Sequence, residues 1–393
     1  MILKKDTFCV APWYSIFLGP DKKLAPCCKI RRNTYTHDYN EIKEYFDSNQ
    51  LTDLRNDLLN GVKNKNCNSC WHAEKKNIDS LRLISNRTLM GKLPKGSLQQ
   101  QIETPKVENI NSFDLVLGNL CNLKCVMCTP NLSSQLMAEV DLNPQLKKRY
   151  TDKKILNQSF LNWPKTDDFV EWCNKVLPQS IHIKFSGGEP FVIPWIYDVI
   201  EKIPDEQKAK CILHFTTNLT IINHKLIECF KKFKEVWLSV SSEGSHNTFE
   251  YLRYGHKWEK LVENIKLIQD KKIKNLMLMV NHVVQAPSYH SILPMVDFFD
   301  SLELKINPIL LTTPAHFHIS SLTKETKSKF LEKTENYAGF NKKFIDYLRN
   351  ISLEHIDQNE SLAKECIKHL EEFDMVRKND WKKIIPVENL LRV

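Results

Sequence analysis

From about residue 110 onward, short apolar runs alternate with longer amphipathic stretches. The runs are FDLVLGN (113–119), SIHIKFS (180–186), ILHFTTN (212–218), EVWLSVS (235–241), LMLMVNHVV (276–284) and LKINPIL (304–310). Their length and their content of β-branched and aromatic residues predict strands. Between several of them lie stretches such as IPWIYDVIEKI (193–203) and WEKLVENIKLIQD (258–270), apolar at helical spacing. Strands separated by helices imply βαβ units and a parallel sheet. Six such units predict an α/β chain with a partial (β/α)6 barrel like that of a TIM barrel, whose chemistry gathers at the C-terminal ends of the strands.

The pattern changes on either side of this region. Residues 40–60 (NEIKEYFDSNQLTDLRNDLLN) predict a helical pair, and the polar stretch GKLPKGSLQQQIETPK (91–106) reads as a linker. Residues beyond about 320 are charged and helical, with no evident site. The expected division is a cysteine-rich domain over 1–105, the partial barrel over 106–318 and a helical C-terminal extension over 319–393. No internal repeat or low-complexity segment interrupts it.

Composition narrows the class. The chain has 393 residues, 42% hydrophobic and 26% charged, as ordinary globular proteins do. It contains no apolar run long enough for a transmembrane helix and no secretory leader, so no membrane association and a cytoplasmic location are expected. The net charge of +9 is spread among interspersed acidic residues. That argues against nucleic acid as a partner and suits an anionic substrate or an acidic electron donor.

The 12 cysteines change the picture most. Cytosolic thiols stay reduced, so clustered cysteines point to metal or iron–sulfur ligation rather than disulfides. Cys121, Cys125 and Cys128 form a C-x3-C-x2-C triplet directly after the first barrel strand. Three thiolates can wrap one side of a four-iron cube, which needs four ligands. The fourth iron is then open to a small molecule. A structural zinc site is the alternative, although zinc prefers four closed ligands and no neighbouring Cys or His completes the set.

This triplet resembles the signature of the radical S-adenosylmethionine (SAM) superfamily. The resemblance implies that a [4Fe–4S] cluster on Cys121, Cys125 and Cys128 binds S-adenosylmethionine and reduces it to a 5′-deoxyadenosyl radical. That radical abstracts a hydrogen from the substrate. It also implies an electron donor such as flavodoxin or ferredoxin. FSGGEPF, at the end of the second strand, supports the resemblance. By itself Gly-Gly-Glu-Pro is a polar turn in which glycine allows close approach of the backbone. In this place Gly187, Gly188, Glu189 and Pro190 match the family's motif for the methionine amino group. Asn218, closing the third strand, would lie near cofactor or substrate. The fourth strand leads into SVSSEGS, where relatives often carry Ser-x-Asp-Gly. Here Ser241 and Arg253 would meet the cofactor carboxylate, and Glu243 would accept from the ribose hydroxyls. The alternative for Arg253 is a surface ion pair.

Cys9, Cys27, Cys67 and Cys70 could supply four further ligands, with Cys28 as a spare or alternative. LGPDKKLAPCC reads as a hairpin turn ending at the cysteine pair. The set is similar to the auxiliary-cluster modules called SPASM and twitch, in an N-terminal arrangement that WHAEKKNIDSLRLISNR also resembles. Relatives often have Gly in the turn where this chain has Lys22 and Lys23, so a looser turn or another turn type is expected. The resemblance implies an auxiliary iron–sulfur cluster on these cysteines, and a structural zinc site on the same four is the alternative. His316 and His318 follow the last strand, where a solvated or core role is the simpler reading.

One mechanism, a two-cluster radical enzyme acting on a substrate such as a peptide or protein side chain, accounts for all these features. A zinc-stabilised, cysteine-rich binding protein without catalytic activity is the alternative. It leaves the strand–helix alternation and Gly-Gly-Glu-Pro without a purpose. A radical-type scaffold that has lost activity is a third reading.

Overall fold

The computed structural model describes residues 6–30, 34–75, 79–150, 157, 161–311 and 313–391. Residues 76–78 of the WHAEKKNIDSLRLISNR stretch and Thr312 of LTTPAHFHISSL lie outside the described residues.

The described residues contain eight strands: β1 (Ser15–Leu18), β2 (Leu24–Ala25), β3 (Ser112–Val116), β4 (His182–Ser186), β5 (Ile212–Thr217), β6 (Glu235–Ser241), β7 (Leu276–Val284) and β8 (Ile306–Leu310). They form one sheet in the order β2-β1-β3-β4-β5-β6-β7-β8. All the paired strands with a described register run parallel except the hairpin β1–β2. The α/β class and the six expected strands are therefore present. β1 is an addition, because it precedes the barrel region in sequence yet pairs with β3, Ile16 opposite Phe113 and Phe17 opposite Asp114. Its short run, SIFL, carried no strand–helix alternation to mark it.

The chain divides into two compact units. The first comprises Met1–Asn119, Leu156–Phe215 and Lys225–Val236, and the second Leu120–Ile155, Thr216–His224 and Trp237–Val393.

In the first unit the sheet has one apolar and one polar face, because side chains alternate along a strand. Phe113, Leu115, Ile183, Phe185, Leu213 and Phe215 are fully buried, and the Phe185 and Phe215 rings stack at 5.5 Å. The opposite face carries Ser112, Asp114, His182, Lys184, Ser186 and His214. A second core gathers Phe8, Val10, Trp13, Tyr14, Leu89 and Ile102. Ile102 belongs to a helix, Ser97–Glu103, in the stretch expected to be a linker. Gln101 explains that departure. Its buried amide donates to the carbonyls of Trp13 (3.1 Å) and Lys106 (2.8 Å), and its oxygen accepts from the Lys106 amide. The expected helical pair is found at Ile42–Phe46 and Asn49–Asn60, the latter capped by Ser48 and ended by Gly61 at φ 83°.

The β1–β2 turn is tight, not loose. The Gly19 amide bonds the Lys23 carbonyl at 3.0 Å, and Lys22 takes the left-handed conformation, φ 65°, that glycine adopts at lower cost.

In the second unit β7 and β8 pair in register, and the Trp258–Asp270 and Ile292–Ser301 helices pack through Trp258, Phe298 and Phe299. The C-terminal region forms three helices, Lys324–Lys333, Lys342–Glu354 and Glu360–Arg377. Their buried stripes, among them Ile345, Leu348, Ile351, Cys366 and Leu370, make them part of this unit's core. Among the described residues no helix is long and apolar enough to cross a membrane.

Candidate functional site

The second unit holds the cysteine triplet on a loop pinned by its backbone. The amides of Lys124 and Val126 donate to the carbonyls of Tyr254 (3.0 Å) and Leu252 (2.8 Å), so the loop runs along the chain that leaves the His246–Leu252 helix. Gly255 follows at φ 101°, a backbone conformation that side-chain-bearing residues rarely adopt. Asn218 reaches the same loop. Its amide donates to the Asn122 side chain at 3.0 Å, and its oxygen accepts from the Thr220 amide at 2.9 Å. The Asn218 carbonyl in turn accepts from His256 Nε2 at 3.0 Å. Asn122 gave no signal in the sequence, since its role depends on a residue almost a hundred positions away.

Three thiols come together on this loop, Cys121 buried and Cys125 and Cys128 partly buried. The Cys128 thiol is pushed up by burial and then by its neighbours Cys125 and Cys121. Cys125 is also raised by burial, against which the Arg253 and Arg377 guanidinium groups act. Buried thiols this close resist ionisation until a cation is placed among them. The donor set therefore fits an iron–sulfur cluster, which would be held by Cys121, Cys125 and Cys128.

Beside it, Arg253 pairs with Glu243, and Arg253 Nη1 lies 4.0 Å from Cys125 Sγ. Glu243 is buried, 1% exposed, and its other oxygen accepts from the Val283 amide at 3.4 Å. Arg253 is 11% exposed, so its ion pair is not a surface one. Burial disfavours its charge, but Glu243 and Cys125 outweigh burial and hold it above the ordinary arginine value. Ser241 closes β6, half-buried.

In the first unit Gly187 and Gly188 both adopt positive φ, 75° and 55°, which explains two consecutive glycines. Glu189 is 1% exposed and its carboxylate accepts from the Phe191 amide at 3.0 Å, capping the short turn that Pro190 begins.

The N-terminal thiols of the same unit are sorted by their surroundings. Cys9 is pushed up to about 12, chiefly by burial and in smaller part by Cys67 and Cys70. Burial likewise pushes Cys67 up to about 12, with Cys70 beside it. Cys27 is raised by burial, then by Cys28, Cys9 and Cys70. Cys9, Cys67 and Cys70 thus lie near one another, and Cys27 lies near Cys28, Cys9 and Cys70. Arg82, which donates to the Phe8 carbonyl at 2.7 Å, turns positive charge toward Cys9 and Cys67. Cys28 is exposed and interacts with Asp114 and Lys184 on the polar sheet face, a pair joined at 3.1 Å. Those two charges were visible in the sequence as interruptions of FDLVL and HIKFS.

His316 is buried and hydrogen-bonds His369 at 2.8 Å, while His318 bonds Ser320 at 3.0 Å. Among the described residues no group of three or more His, Cys, Asp or Glu side chains is arranged to hold a single metal ion.

Residues 115–296 match the Radical SAM superfamily. This stretch carries the chain's likeness to a radical SAM domain. No curated protein matches the chain. Among solved structures, it is similar to Streptococcus suis SuiB bound to S-adenosylmethionine, at 17% identity and a TM-score of 0.36, over 62% of this chain and 50% of that one. It is also similar to native anSMEcpe with bound AdoMet, at 16% identity and a TM-score of 0.37, over 56% of this chain and 58% of that one. A second SuiB structure, bound to the precursor peptide SuiA, matches at 16% identity and 0.37, over 62% and 51%. The chain thus spans about half the length of SuiB. These are distant likenesses.

Proposed function

We propose that the protein is a two-cluster radical SAM enzyme that abstracts hydrogen from a peptide or protein side chain. Bound to a [4Fe–4S] cluster, S-adenosylmethionine would supply a 5′-deoxyadenosyl radical on reduction. Cys121, Cys125 and Cys128 would hold that cluster and leave one iron open. The observation that carries the reading is the convergence of three thiols on one pinned loop, beside a buried Arg253–Glu243 pair. Arg253 would neutralise negative charge next to Cys125 and orient the cofactor carboxylate, with Ser241 assisting. Gly187, Gly188, Glu189 and Pro190 would receive the methionine amino group, and Asn218 would lie near cofactor or substrate. Glu243 is committed to Arg253 here, so contact with ribose hydroxyls would use its remaining acceptor capacity.

Cys9, Cys27, Cys67 and Cys70 would hold an auxiliary cluster. Their proximity supports these four over any set that includes Cys28. The surface charge of +9 suits an acidic electron donor of the flavodoxin or ferredoxin kind.

Counting iron and sulfide after anaerobic purification tests the reading. About eight of each per chain are expected, as for two four-iron clusters. Replacing Cys125 with Ala removes one cluster's share and replacing Cys70 with Ala the other's, whereas Cys28→Ala changes neither. A colourless protein that carries zinc alone, even after reconstitution, overturns the proposal in favour of a zinc-stabilised binding protein.

A further inference from the structure

The C-terminal region looked empty of function in the sequence, yet its longest helix, Glu360–Arg377, reaches the cysteine loop within the second unit. Arg377 Nη2 donates to the Lys124 carbonyl at 2.6 Å, and His369 Nε2 donates to the Val126 carbonyl at 3.1 Å. Both acceptors lie between the cysteines of the triplet. Neither donor is free to swing. Arg377 forks onto the buried Glu139 carboxylate at 2.6 and 3.2 Å and lies over the Tyr254 ring, 4.3 Å from its centroid. His369 stacks on Phe373 and accepts at Nδ1 from His316 Nε2 at 2.8 Å. The carbonyl can only accept, so the Val126 contact fixes the proton on His369 Nε2.

Three further loop carbonyls also accept from side chains. Ser134 donates to Cys121 O (3.2 Å), Ser133 to Leu123 O (2.6 Å) and Tyr150 to Cys128 O (3.5 Å). Five carbonyls of the loop are thus held by donors from outside it, whereas the Cys125 carbonyl accepts from the Cys128 amide at 3.1 Å and the Thr129 carbonyl from the Cys128 thiol at 3.7 Å. An amide is left toward sulfur, with Leu123 N 3.5 Å from Cys121 Sγ. Carbonyl dipoles aimed at an anionic cluster disfavour its reduced state. N–H groups aimed at the sulfurs favour it, and hydrogen bonds to sulfur are among the factors that set cluster potentials. Residues behind the ligands orient them and tune what they hold.

We propose that His369 and Arg377 are positioning residues for the radical SAM cluster, keeping the Lys124 and Val126 carbonyl dipoles engaged by donors and so keeping the cluster's reduction potential from falling. The inference rests on the cluster assignment made above. It concerns the loop only, and assigns no contact with substrate.

The test is a redox titration of the reconstituted full-length protein, followed by the electron paramagnetic resonance signal of the reduced cluster. The comparison is wild type against Arg377→Met, His369→Phe and His369→Gln. Gln keeps a donor within reach of the Val126 carbonyl and Phe does not. The two disruptive variants are expected to keep their iron and sulfide, to titrate at a lower potential and to form 5′-deoxyadenosine more slowly, by on the order of tenfold. His369→Gln should recover most of both. Should Arg377→Met fail to fold, the two His369 variants decide. An unchanged potential in His369→Phe, or equal losses in the Phe and Gln variants, overturns the proposal. A wild-type protein with no cluster on Cys121, Cys125 and Cys128 instead overturns the assignment beneath it.

Discussion

Replacing Arg253 with Met should strand the Glu243 carboxylate. That carboxylate is 1% exposed and its partner 11%, so water cannot take the place of the guanidinium. Its remaining described contact is the Val283 amide at 3.4 Å, a weak bond for a full charge. Breaking a buried pair by removing one partner costs about 3–5 kcal/mol, most of it the burden of the charge left behind. The Val283 amide offsets a little, which places the expected loss near the lower figure, about 3 kcal/mol. Urea unfolding of the cluster-free protein, followed by tryptophan fluorescence, measures it without the metal's contribution. The double variant Arg253→Met with Glu243→Gln removes the stranded charge and should recover a substantial part of the loss. An Arg253→Met protein within about 0.5 kcal/mol of wild type would mean that the pair behaves like an exposed one. A double variant no more stable than Arg253→Met would refute the stranded-charge argument.

Two further outcomes follow from the geometry. Gly118 sits at φ 83°, and a Cβ there would lie 2.8 Å from the Leu161 carbonyl oxygen, so Gly118→Ala should cost about 2 kcal/mol or more from left-handed strain and the clash; a thermal midpoint equal to wild type would contradict this. Burial holds His182, His256 and His290 down at about 4, against an ordinary value of 6.5. Because the unfolded chain then binds more protons, stability should be complete above about pH 6.5 and fall steadily toward pH 4. His256→Gln should make that fall shallower by about one proton, and a pH profile of the urea midpoint with unchanged slope would count against it.

Much of the fold was legible because its strands carry two independent signals, short apolar runs and intervening amphipathic stretches. EVWLSVS and LMLMVNHVV match β6 and β7 residue for residue. β1 was not legible, since SIFL stands alone and becomes a strand only through its partner β3. The 91–106 stretch read as a linker because its residues are polar, and the burial of Gln101 in a net of backbone hydrogen bonds cannot be seen from polarity. In the candidate site, local spacing pointed to the triplet, and φ above zero accounts for the glycine pair. Spacing could not separate Cys27 from Cys28, adjacent in sequence. Their surroundings differ, Cys27 lying near Cys9 and Cys70 and Cys28 beside Asp114 and Lys184. The link from His369 and Arg377 to the cysteine loop spans more than 240 positions, and no local pattern marks it.

The central claim is that Cys121, Cys125 and Cys128 hold a cluster at which S-adenosylmethionine is cleaved. The most direct measurement incubates anaerobically reconstituted protein with dithionite and S-adenosylmethionine and quantifies 5′-deoxyadenosine by chromatography. The wild-type protein should form it and the Cys125→Ala variant should not. No product from a wild-type protein that carries its full iron, or equal product from the Cys125→Ala variant, would contradict the claim.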